Sequence, residues 1–92
     1  MDIKKLNTIR KKIDNLDQKL LSLIKKRTIL VKEVIKIKKF KKQIVDKKRI
    51  KKVLDIIKKK SIKKGIDPKI TKTIWSSMIK SYIAYERRNF KK

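Results

Sequence analysis

Cysteine and histidine are absent from this 92-residue chain, and glycine and proline occur once each. Without cysteine neither a disulfide framework nor a thiolate site is possible, and without histidine the usual metal ligand and general base are missing. Any chemistry must run on carboxylates, lysines, arginines and hydroxyls, and no metal or cofactor is expected. The lone Gly65 and lone Pro68 leave the first 64 residues without the punctuation that sheet turns require, so an all-α fold is expected. Apolar runs long enough to span a bilayer are lacking, as is the hydrophobic stretch of a secretory signal at the N-terminus; a cytoplasmic protein is expected. The length suits one helical domain over residues 1–92, too small to build a sizeable core without a partner subunit.

What is abundant is positive charge: 32 Lys and Arg against 8 Asp and Glu, a formal net charge of +24. Such an excess ordinarily points to nucleic acid or an anionic membrane surface. Here it is discounted, because isoleucine dominates the apolar set and Ala84 is the only alanine. Lysine and isoleucine share A/T-rich codons, so solvated lysines fill positions where any polar residue would serve. The few arginines, Arg10, Arg27, Arg49, Arg87 and Arg88, then carry more information, since a planar, permanently charged, bidentate group has been kept where lysine is the default.

From Asp2, a suitable N-cap, apolar residues recur at Ile9, Ile13, Leu16, Leu20, Leu23, Leu30, Val34 and Ile37, the alternating steps of a helix seam. Continuous from about residue 3 to 40, this helix would be on the order of 55 Å long and would need cover beyond its own successors. Gln43, Ile44 and Val45 suit a short connection. Asp46 is placed to cap a second helix with Ile50, Val53, Leu54 and Ile57 on one face, ending at Gly65 as C-cap. Asp67 followed by Pro68 starts a third, bearing Ile70, Ile74, Met78, Tyr82 and Phe90.

Arg27 falls on the seam where an apolar residue is expected, and an unpaired charge there is costly. Either an anionic ligand meets it, or it pairs with an acidic side chain or reaches round to solvent. Lys38 follows three turns later on nearly the same face, about 16 Å along the axis, so two long side chains can converge on one ligand. Arg10 precedes Arg27 by about 25 Å and lies roughly 100° around the helix. It is either a surface residue or it serves the site of a second subunit. An intertwined homodimer would cover the long helix and give Arg10 that role.

The segment from Leu6 to Lys38, LNTIRKKIDNLDQKLLSLIKKRTILVKEVIKIK, resembles the first helix of the all-helical chorismate mutase family. The matching elements are Arg10 before Ile13 to Asp17, the Leu20 to Ile24 segment, Arg27, and Val34 to Lys38; similarity continues more weakly through Asp46 and Arg49 into the third helix. The resemblance implies a three-helix protomer in an intertwined homodimer. It also implies that Arg27 and the partner's Arg10 hold the carboxylates of chorismate, that Lys38 bonds a carboxylate and the ether oxygen, that Arg49 lines the pocket, and that Asp46 lies near the substrate hydroxyl. Rearrangement of chorismate to prephenate is pericyclic, needing only a compact conformer and stabilisation of charge on the breaking ether bond. A chain without cysteine or histidine suffices.

Three positions depart from the family pattern. Ile50 stands where a glutamate bonds the substrate hydroxyl, Tyr82 where a serine is common, and Glu86 where a glutamine donates to the ether oxygen. Glu86 is one turn beyond Tyr82 on the same face. It can donate only when protonated, a state that burial favours and nearby cations oppose; the alternative is that it pairs with a lysine. Some family members carry glutamate here. Ile50 and Tyr82 also resemble the isochorismate pyruvate-lyase branch, which forms salicylate and pyruvate on the same fold. The mutase is placed first because prephenate supply is the more widespread need and Glu86 departs from both branches. A nucleic-acid-binding helical protein is the rival of another class. Against it, lysines spread over all three helices and aromatics make up only 5% of the chain, too few for base stacking. A membrane-surface helix would leave the long seam unsatisfied.

Overall fold

A computed structural model describes residues 2–91. The described residues form three α-helices, α1 (Ile3–Ile37), α2 (Lys47–Lys63) and α3 (Pro68–Asn89), with a single 3-10 turn at Lys41–Gln43 and no strand. The chain is all-α, as the scarcity of turn residues predicts. It divides into two compact units, Met1–Glu33 and Val34–Lys92.

The first unit is helical from Ile3 onward. Asp2 caps it as expected, its Oδ1 accepting from the Lys5 N–H at 3.1 Å. The seam is where periodicity puts it, yet it stays open to solvent: Ile9, Ile13, Leu16, Leu20, Leu23 and Leu30 are each 50–60% exposed. A stripe of six large aliphatic side chains left in water is far from an energetic optimum, since full burial of each contributes about 1.5–3 kcal/mol.

The second unit is organised by the packing of α2 against α3. Asp46 caps α2, its Oδ1 accepting from the Arg49 N–H at 3.0 Å, and Asp67 caps α3 with Pro68 in the first position. Between them Gly65 adopts φ 72°, a conformation costly for any residue with a Cβ. It lets the Ile66 N–H reach the Ser61 carbonyl at 2.8 Å and the Gly65 N–H reach that of Ile62 at 3.1 Å, the paired bonds of a Schellman ending. On α2 the inward stripe is Ile50, Leu54, Ile57 and Ser61; on α3 it is Thr71, Trp75, Met78, Tyr82 and Glu86. The α3 stripe is displaced from the expected one, for Ile70 and Ile74 are 56% and 49% exposed. The reason is polar: Ser61 and Thr71 are buried and bonded to each other at 2.7 Å, fixing which face of α3 meets α2.

Two boundaries differ from expectation. The first helix ends at Ile37, not near residue 40. The Lys38 N–H still donates to the Val34 carbonyl, but the N–H groups of Lys39 and Phe40 both donate to Gln43 Oε1 at 2.8 Å, so the helical ladder is replaced by a side-chain acceptor. At the other end Phe90 is not part of α3 but is its C-cap, in extended conformation.

Candidate active site

The second unit brings several expected site residues together. Lys38, immediately past α1, extends its ammonium to Glu86 Oε1 on α3 at 3.1 Å and to the Ile44 carbonyl at 3.5 Å. Glu86 is buried at 7% exposure, while the Lys38 side chain is 19% exposed. This ion pair is shielded from bulk water, so it holds its geometry better than the exposed Lys59–Asp55 pair on α2 does. Of the two roles open to Glu86 from sequence, it takes the one in which it accepts from a lysine. That lysine is Lys38, itself an expected ligand.

Beside Lys38 lies a shallow depression of about 560 Å³, lined by Lys38, Gln43, Val45, Asp46, Lys47 and Lys48. Three ammonium groups against one carboxylate, with the N-terminus of α2 at its edge, make it attractive to anions. Asp46 spends its Oδ1 on the helix cap, which fixes its carboxylate at the rim. Arg49, in the first turn of α2, is exposed, and the adjacent Ile50 is half-buried. Tyr82 is half-buried one turn before Glu86, its ring edge-to-face with Tyr85 at 6.5 Å and 82°, an arrangement that favours the ring quadrupoles. Arg10 and Arg27 lie in the first unit on α1, Arg10 exposed and Arg27 half-buried. A second depression of about 640 Å³, between α2 and α3 near Leu54 and Pro68, includes none of the expected site residues.

Gln43 and the Ile44 carbonyl were not anticipated as parts of this site. For Gln43 a signal existed: it is the only side-chain amide between Gln18 and Asn89, in a stretch where lysine is otherwise the default polar residue.

A family model described as chorismate mutase type II matches residues 9–87. The chain belongs to the chorismate mutase type II family. It is accordingly an enzyme, an isomerase that rearranges the small molecule chorismate to prephenate. No curated protein and no solved structure matches it. The matched span runs from the start of the α1 seam to one residue beyond Glu86, so it takes in every expected site residue.

Proposed function

We propose that chorismate is bound and rearranged at a site built on Lys38 and Glu86, in a cytoplasmic homodimer of single-domain protomers spanning residues 1–92. The observation that carries this reading is the buried contact between Lys38 Nζ and Glu86 Oε1 at 3.1 Å, two residues far apart in sequence that the family's chemistry needs side by side. Arg27 and Arg10 of the partner subunit anchor the two substrate carboxylates. Lys38 bonds a carboxylate and the ether oxygen, Arg49 and Asp46 edge the pocket near the substrate hydroxyl, and Ile50 and Tyr82 form its apolar wall.

The protein makes no covalent bond to the substrate. The ether C–O bond breaks as the new C–C bond forms within one molecule, and the barrier falls because the chain holds the compact conformer and meets the negative charge growing on the ether oxygen. Lys38 supplies the opposing positive charge. Glu86 acts as its acceptor, holding the ammonium in place before substrate arrives, so stabilisation requires little reorganisation. The uncovered α1 seam supports the dimer: six half-exposed aliphatic residues on one stripe match a second copy of the same stripe, and exchange of α1 between copies lets Arg10 serve the neighbouring site.

The test is to supply purified protein separately with chorismate and isochorismate and to assay prephenate, salicylate and pyruvate. Prephenate from chorismate is the expected product, and Lys38→Ala abolishes most of its formation. Salicylate and pyruvate from isochorismate alone would transfer the site to lyase chemistry, and an active Lys38→Ala variant would remove Lys38 from the mechanism.

A further inference from the structure

We infer that Gln43 is a positioning residue for the rearrangement, acting through Lys38. The inference rests on the assignment of Lys38 to the ether oxygen and extends it to the turn that aims the ammonium.

Lys38 follows the last residue of α1, and α2 begins at Lys47. Its own N–H closes the final helical bond, to the Val34 carbonyl at 3.1 Å. Beyond it the ladder stops. The next two N–H groups, of Lys39 and Phe40, converge on the single acceptor Gln43 Oε1, each at 2.8 Å. The Gln43 N–H returns a bond to the Phe40 carbonyl at 3.0 Å, and the Ile44 N–H bonds the Lys41 carbonyl at 3.1 Å. These four bonds close the turn and fold Ile44 inward, to 4% exposure. Its carbonyl is thereby brought to 3.5 Å from Lys38 Nζ, while Glu86 holds the same ammonium at 3.1 Å.

Lysine is a flexible four-carbon stem with a compact charge at its tip. Acceptors on different elements, the Glu86 carboxylate and the Ile44 carbonyl among them, convert it into an aimed donor, and the second of these is set by Gln43. Without that amide oxygen, two adjacent backbone N–H groups lose their acceptor, the turn loosens, and the Ile44 carbonyl moves away from the ammonium. Misplacement of a reacting group by about 1 Å can lower a rate about a hundredfold. Loss of one orienting contact while Glu86 still holds the ammonium should fall short of that, at roughly tenfold.

The experiment compares Gln43→Met, which keeps length but removes the acceptor, with Gln43→Glu, which keeps an acceptor oxygen, each in the wild-type and Lys38→Met backgrounds. Gln43→Met is expected to lower kcat roughly tenfold with KM little changed, because charge on the ether oxygen develops only in the transition state. Gln43→Glu is expected to restore most of kcat. In the Lys38→Met background Gln43→Met should have no further effect on the residual rate. An equal loss in both backgrounds would show a merely structural role, and an unchanged kcat for Gln43→Met would overturn the inference. Gln43→Ala repeats the comparison if the methionine variant folds poorly. Full activity of Lys38→Met alone would instead overturn the assignment of Lys38, leaving the two failures distinct.

Discussion

Glu86 accepts from Lys38 while the family pattern has a glutamine that donates, and these two facts lead to different expectations for its variants. If its task is to hold the ammonium, any side chain with an oxygen at the same reach will serve. Glu86→Gln should therefore retain most of the prephenate-forming activity, while Glu86→Ala, which removes the 3.1 Å carboxylate acceptor of the ammonium, should lose about tenfold or more. Equal losses in the two variants would show that charge, not acceptor geometry, holds Lys38. The buried hydroxyl pair obeys similar reasoning. Ser61 has one hydroxyl hydrogen and gives it to the Ile57 carbonyl at 2.6 Å, so in the 2.7 Å contact Thr71 donates, in preference to its longer 3.4 Å approach to the Pro68 carbonyl. Thr71→Val then removes a donor that Ser61 can spare and should cost about 1 kcal/mol, whereas Ser61→Ala leaves Thr71 the longer bond to the Pro68 carbonyl at 3.4 Å, opens a small void and should cost about 1–2 kcal/mol. Urea denaturation of both variants checks the order, and a reversed order would mean the donor is misassigned. The sequence singles out candidates where a residue type is rare: with so few arginines, each stands out. Ser61, Thr71 and Gln43 were not legible, because their roles depend on acceptors contributed by distant backbone.

Element boundaries were readable wherever a side chain must cap or break a helix. Asp2, Asp46, the Asp67–Pro68 pair and Gly65 all do what their residue type demands. The end of α1 was placed too late because nothing between Lys38 and Lys42 forbids helix; only the Gln43 side chain, competing for two backbone donors, stops it. The face of α3 was shifted because apolar periodicity was the only guide, and two of the most buried positions on that helix, Thr71 and Glu86, are polar. Gly65 offers a clean measurement at this scale. A Cβ added there would meet nothing within 4 Å, so the cost of Gly65→Ala is that of the left-handed backbone alone, about 1 kcal/mol. Gly65→Asn should cost less, since asparagine tolerates that conformation. Chemical denaturation of the two variants would show it; equal stability of wild type and Gly65→Ala would mean that the helix ending does not hold a positive φ in solution.

The whole molecule presents a contradiction that one chain does not resolve. Its longest helix carries a well-formed apolar stripe, yet six residues of that stripe are at least half exposed, while no side chain in the described chain is fully buried. The proposed second copy would resolve it, and the proposed sharing of Arg10 makes that resolution testable through activity. Arg10→Ala and Arg27→Ala homodimers should each be nearly inactive, since every site in either lacks one arginine that anchors a carboxylate. Mixed by unfolding and refolding together, half the dimers become heterodimers. In each of these one site joins the intact Arg27 of the first chain to the intact Arg10 of the second, and the other site lacks both. Activity should then recover to about a quarter of that of an equal amount of wild type, as random pairing across a two-fold axis requires. Leu20→Glu, which places a charge in the middle of the seam, should shift the mass measured by light scattering toward one chain and abolish the recovery. No recovery on mixing two inactive variants, with dimers intact by light scattering, would confine Arg10 and Arg27 to the same subunit's site, and an active Arg10→Ala homodimer would remove Arg10 from it.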